Sequence, residues 1–106
     1  MMNQKGNTMQ VASTTQFRKA VRTVAHNMGV RIGTKSYTER NRALEDSKRW
    51  VGMELYGVWD NPQRAQLVCQ HTEYMLNSQG LTAKSRITGS TNYTYIRGTC
   101  EIANWK

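Results

Sequence analysis

The chain has 106 residues and a mass of 12.2 kDa, which suits one domain, since separate cores seldom form below roughly 50 residues each. Leu, Ile, Val and Phe number 17, about 16% of the chain, under the ~20% at which burial comfortably offsets chain entropy, so the core is thin and a homodimer is one way to complete it. A net charge of +8 and a pI near 9.9 direct the chain toward anionic partners, nucleic acid ahead of a membrane surface.

Residues 1–12 are polar and show no period, and they read as a flexible basic arm carrying Lys5. Residues 13–106 read as a single α+β domain, with two amphipathic helices packed on a short antiparallel sheet. Ser13 and Gln16 have the spacing of a capping box. Phe17, Ala20, Val21, Val24, Ala25 and Met28 then recur at the helical period until Gly29 stops them. Arg18, Lys19, Arg22 and His26 lie on the opposite side of this helix.

Val30 to Tyr37 fits an extended segment or a turn. Ser36 with Glu39 repeats the capping-box spacing, which predicts a short exposed helix or a polar loop up to Lys48. Arg49 to Trp59 is a strand, with Val51, Met53, Leu55 and Trp59 on one face and Trp50, Glu54, Tyr56 and Val58 on the other. Asn61 and Pro62 start a second helix, whose inward stripe is Ala65, Val68, Cys69, Thr72, Met75 and Leu76, with Gly80 as its stop. Leu81 to Ser90 is a basic loop or short strand with Lys84 and Arg86. Thr91 to Ala103 is a strand that sets Ile96, Cys100 and Ile102 against Tyr93, Tyr95, Arg97 and Glu101.

Several chemistries lack support. No apolar run reaches the ~18 to 20 residues that span a bilayer, and no apolar stretch of a secretory signal precedes Ala12, so a cytoplasmic protein without membrane contact is expected. Cys69 and Cys100 are too few for a disulfide framework, and a reducing compartment leaves both as thiols. There is no Walker-type loop and no Gly-x-Gly-x-x-Gly turn, so no cofactor is expected. Cys69 and His71 are two residues apart on a helix, about 200 degrees in angle, and cannot hold one metal ion.

Charge supplies the leading functional expectation. Residues 1–38 hold Lys5, Arg18, Lys19, Arg22, Arg31 and Lys35 and no acid, a footprint suited to neutralising phosphates and releasing counterions. Lys84, Arg86 and Arg97 extend this set. If the two long strands pair, Trp50 and Tyr56 share a face with Tyr93, Tyr95 and Arg97, where flat rings beside a guanidinium can stack unpaired bases. The competing reading buries those rings under a helix.

Three resemblances add to this reading. Ala25 to Val30 resembles the first helix and turn of a helix-turn-helix DNA-binding motif, while Gly33, Thr34 and Lys35 depart from its recognition helix. Tyr56-Gly57, Asn61 and Arg64 resemble the second half of a GIY-YIG nuclease motif, which implies Tyr56 and Arg64 as a pair acting at a phosphodiester; the upstream strand and the metal-binding Glu of that family have no counterpart. The brevity, the paired initial methionines and the Asn/Gln/Thr-rich composition resemble small bacteriophage early proteins. The expected function is a nucleic-acid-binding accessory protein that is not an enzyme. The alternative is an inhibitor that docks its basic surface on a host or defence protein complex, and a GIY-YIG-like nuclease is third.

Overall fold

A serine followed three residues later by a glutamine opens the first helix. The computed structural model describes residues 9–39, 48–58, 60–89 and 94–101. In it the Gln16 amide donates to the Ser13 hydroxyl at 3.1 Å, and the Ser13 amide donates to Gln16 Oε1 at 2.9 Å, which satisfies two orphan donors reciprocally. Helix α1 runs Thr14–Met28 and closes at Gly29, whose φ of 71° is the left-handed conformation that glycine adopts without steric penalty. Helix α2, Pro62–Ser78, starts on the Asn61 side chain, which accepts from the Arg64 amide at 3.2 Å, with Pro62 at the head of the helix.

The strands are β1 Gln10–Val11, β2 Arg31–Glu39, β3 Lys48–Tyr56, β4 Leu81–Thr82, β5 Ser85–Gly89 and β6 Thr94–Glu101. Four of them form an antiparallel sheet in the order β2-β3-β6-β5, and β1 pairs separately with β4 in parallel. Each helix precedes a hairpin, β2–β3 after α1 and β5–β6 after α2, and the two hairpins join at the β3–β6 seam.

Both helices pack on one face of the sheet. Phe17, Ala20, Val21, Val24 and Ala25 of α1 and Ala65, Val68, Cys69 and Leu76 of α2 share a core with Val51, Met53, Leu55 and Ile96 from the strands. The Phe17 ring lies directly over Gly98, where a Cβ would stand 2.7 Å from the ring atoms Cε1 and Cζ. The fold is therefore α+β, with two helices on an antiparallel sheet, and both helix stripes face inward as their periods predict. No helix among the described residues is long and apolar enough to cross a membrane.

Some local expectations change. Gln10 to Ala12, read from sequence as part of the arm, belong to the fold: Gln10 and Val11 pair with β4, and Ala12 is fully buried and bonded to the Thr82 carbonyl at 2.7 Å. Of the two readings of Val30 to Tyr37, extended segment or turn, the extended one holds, and Ser36 and Glu39 do not cap a helix. Tyr37 and Thr38 suit a pleated surface and pair with Gly52 and Val51, which makes this segment strand β2. Ile32 stands opposite Leu55 and Ser36 opposite Met53, so residues 33–35 face Glu54 alone and form a bulge. Residues 40–47, which carry the rest of the expected polar helix or loop, lie outside the described residues, as does Trp59. Val58 turns into the core instead of extending the outer face of β3, because the strand ends at Tyr56 and Gly57 has a φ of 78°. Leu81 to Ser90 resolves into β4 and β5.

Candidate nucleic-acid interface

Period-two alternation sends every second residue of the sheet away from the helices. Along this outer face the ladder sets Tyr37 opposite Gly52, and Gly52 opposite Arg97, which in turn faces Arg86. A neighbouring row is Glu54, Tyr95 and Thr88, and Arg31 stands opposite Tyr56 at one end. Among the described residues no helix or strand covers this face, because α1 and α2 both contact the sheet from the other side.

The rings lie on small neighbours. Tyr37 rests over Gly52, where any Cβ would overlap the ring. Tyr37 and Tyr95 meet with centroids 5.8 Å apart at an interplanar angle of 53°, a tilted contact of the kind aromatic quadrupoles favour. Tyr56 is 47% exposed, and the Arg31 guanidinium carbon stands 5.8 Å from the centre of its ring, within cation–π range. Trp50 is half-buried on the same side of β3. Trp50, Tyr56 and Tyr95 thus share a face, as the alternation predicts. Tyr93 lies outside the described residues.

The basic residues divide between two surfaces. Lys19 and Arg22 are exposed on α1, while Arg31 and Arg86 are exposed on the outer sheet face and Lys84 in the link between β4 and β5. Among the described residues no carboxylate pairs with any of these five. Arg18 is half-buried and differs from them: its guanidinium donates to the Thr38 hydroxyl and ties α1 to β2. Lys5 lies outside the described residues; Lys35 occupies the β2 bulge and Arg97 the centre of β6. The basic helix and the aromatic sheet are therefore on opposite sides of the molecule.

Two features of the outer face were not singled out by sequence. Tyr37 lay in a segment read as either extended or a turn, and no role was given to it. Glu54, expected simply to point outward, is only 5% exposed. Its Oε1 is buried and has no hydrogen-bond partner. It fits beside β2 because Gly33 has no side chain to occupy that space.

Other polar clusters tie elements together. Glu73 on α2 accepts from the Ser85 hydroxyl at 2.6 Å and from the Ser85 amide at 3.1 Å, and Cys69 Sγ lies 3.2 Å from Ser85 Oγ. This chain fastens β5 to α2. Burial pushes the Cys69 thiol above its ordinary value of 9.0, and the Glu73 charge adds to the rise against the lowering hydrogen bond from Ser85. Of the nuclease-like pair, Arg64 donates to the Met28 carbonyl at the end of α1, while Tyr56 stands against Arg31 on the outer face. Among the described residues no group of three or more His, Cys, Asp or Glu could hold a metal ion. No family model, curated protein or solved structure matches the chain.

Proposed function

We propose that the chain binds single-stranded nucleic acid on the outer face of its sheet. Tyr37, Tyr95, Trp50 and Tyr56 offer ring surfaces for unpaired bases, and Arg31 and Arg86 meet phosphates along the strand. The observation that carries this reading is the Tyr37–Tyr95 pair, which lies on a sheet face that no described element covers, between exposed arginines. Base-on-ring stacking contributes about 1 to 3 kcal/mol per base and is tolerant of sequence, so two or three occupied rings add substantially to the affinity that phosphate contacts provide. Lys19 and Arg22 on the far side raise the long-range attraction for an anionic strand without touching it. On this reading the contact is on the sheet and the helix has a steering role.

Fluorescence anisotropy with a labelled eight-nucleotide strand and the matching duplex tests the proposal. The single strand is expected to bind more tightly than the duplex, and Tyr95→Ala to weaken it by about tenfold. Equal affinity for both forms, or indifference to Tyr95→Ala, overturns the sheet-face reading. A complete lack of affinity at low salt favours docking on an acidic protein surface instead.

A further inference from the structure

The helical side of the molecule carries a groove that base stacking on the sheet does not use. Arg64 in the first turn of α2 reaches the Met28 carbonyl at the end of α1, while Gln16 and Gln79 line one hollow at the opposite ends of the two helices. The helices therefore lie antiparallel, with a furrow between them. Two hollows of about 260 and 420 Å3 occupy it, and Met75 is their common wall. From Gln16 to Met28 the furrow follows α1 for ~18 Å, the length of about three helical turns. Its lining is largely apolar: Ala20 and Val24 are buried at the bottom, Met28 and Met75 are half-buried, and Tyr74 stands on the α2 side. Tyr74 is 78% exposed, and Leu67, two turns earlier on the same side of α2, is 43% exposed. A large open ring beside a groove suits an interface anchor, and flexible methionines let the groove adapt to side chains that enter it.

Charge decides what kind of segment fits. Helix α1 contains no acid, and the single acid of α2, Glu73, turns to Ser85 on β5. Lys19 lines the groove, and Arg22 and His26 are exposed beside it on α1. The chain's own remaining segments do not complement this rim. Residues 1–8, 90–93 and 102–106 hold no acid, residues 40–47 balance Glu45 and Asp46 with Arg40 and Arg42, and a second copy repeats the +8 charge. A nucleic acid would meet the cations and leave the apolar floor unfilled. We infer that the groove between α1 and α2 docks an acidic amphipathic helix of a partner protein. Its apolar side chains, spaced three and four residues apart, enter between Met28 and Met75, and its carboxylates face Lys19 and Arg22. The inference goes beyond the sheet-face reading and does not depend on it, because the groove lies on the side of the molecule away from Tyr37 and Tyr95, and both surfaces can be occupied at once.

Fluorescence anisotropy on the full chain tests this with a labelled fifteen-residue peptide of Leu, Ala and Glu whose Leu residues keep the helical period. One control has the same composition with Leu moved out of that period, and another has Lys in place of Glu. The acidic amphipathic peptide is expected to bind at least tenfold more tightly than either. Tyr74→Ser should weaken it by about tenfold, and a side chain that is 78% exposed can be replaced without disturbing the core. The double variant Lys19→Glu, Arg22→Glu should shift the preference from the Glu peptide to the Lys peptide. A saturating eight-nucleotide thymidine strand should leave the peptide bound. Absence of peptide binding, equal binding of the out-of-period control, indifference to Tyr74→Ser, or a preference unmoved by charge reversal overturns the inference. Displacement by the strand overturns it too, since the groove is then a nucleic-acid site. Peptide binding that persists while no strand binds overturns the sheet-face reading alone.

Discussion

Arg64, in the first turn of α2, donates a hydrogen bond to the carbonyl of Met28 in the last turn of α1. The contact brings a cation to the negative end of the α1 dipole and satisfies one of its orphan carbonyls. Arg64→Ala is expected to destabilise the fold by about 1 kcal/mol, read as a melting temperature lower by roughly 5 °C. A fold as stable as the parent would show that the contact is not formed in solution. The same variant bears on the nuclease resemblance: plasmid cleavage with Mg2+ that vanishes in Arg64→Ala and in Tyr56→Phe, without a matching loss of fold, would assign those residues a role in chemistry.

The close approach of Phe17 to Gly98 leaves no space for a methyl group. Gly98→Ala forces the ring or the β3–β6 seam to shift and is expected to cost about 1 to 3 kcal/mol. Chemical denaturation reads this as a lower midpoint at unchanged slope. Pairing Gly98→Ala with Phe17→Leu should recover part of the loss, because the smaller side chain relieves the overlap.

Cys69 is expected to react slowly. Its thiol is buried and held above 9.0 chiefly by that burial, and the thiolate is the reactive form. In a Cys100→Ser background, alkylation by iodoacetamide at neutral pH should be far slower than in the unfolded chain. The direction of the shift also sets a pH dependence. Above about pH 9.0 the unfolded chain releases the Cys69 proton while the folded chain retains it, so the folded state binds more protons and stability falls as pH rises. Cys69→Ala should flatten that decline; an unchanged slope of stability against pH would refute the assignment.

Salt dependence separates the two basic surfaces. Each phosphate contact on a single strand contributes about 0.7 to the log–log slope, so Arg31→Ala and Arg86→Ala should each lower it by about that amount. Arg18→Ala should leave the slope unchanged, since its guanidinium is engaged by Thr38. Arg22→Ala should slow association and change the slope by much less than Arg31→Ala or Arg86→Ala. A slope that responds to Arg22 and not to Arg31 would place the strand on the helix.

Glu54 carries a cost in the free protein. Replacing it with Met, an apolar side chain of similar length, removes a buried carboxylate whose Oε1 has no hydrogen-bond partner and is expected to stabilise the fold by about 1 to 3 kcal/mol. Thermal melting of Glu54→Met checks this, and a large destabilisation would mean that the carboxylate is satisfied in solution.

Both helices were legible because their signals are local: Ser13 with Gln16, Asn61 with Pro62, and apolar stripes at the helical period that bury as written. β2 was not legible. The bulge between Ile32 and Ser36 breaks its alternation, and Ser36 with Glu39 imitates a helix start, so only pairing with β3 decides its conformation. The site divides in the same way. Trp50, Tyr56 and Tyr95 were placed together by alternation on β3 and β6, whereas Tyr37 depended on a strand whose pattern was interrupted. Glu54 gave no signal, since a carboxylate on an outward strand position reads as solvated. The one local hint was the pair of glycines, Gly33 and Gly52, each standing where a large side chain from the neighbouring strand needs room.

The pairing of β1 with β4 joins Gln10 to Leu81, and the β3–β6 seam joins residues almost as far apart in sequence, such as Lys48 and Glu101. A ribosome delivers Gln10 long before Leu81 exists, and the first hairpin long before its companion. During synthesis the nascent β3 therefore has an open hydrogen-bonding edge, and the apolar stripe of α1 lacks its α2 neighbour. Contacts of such long range form late, and an unpaired strand edge invites aggregation while it waits. Truncations that stop before β6 should accumulate as insoluble or chaperone-held chains even though both helices are already encoded.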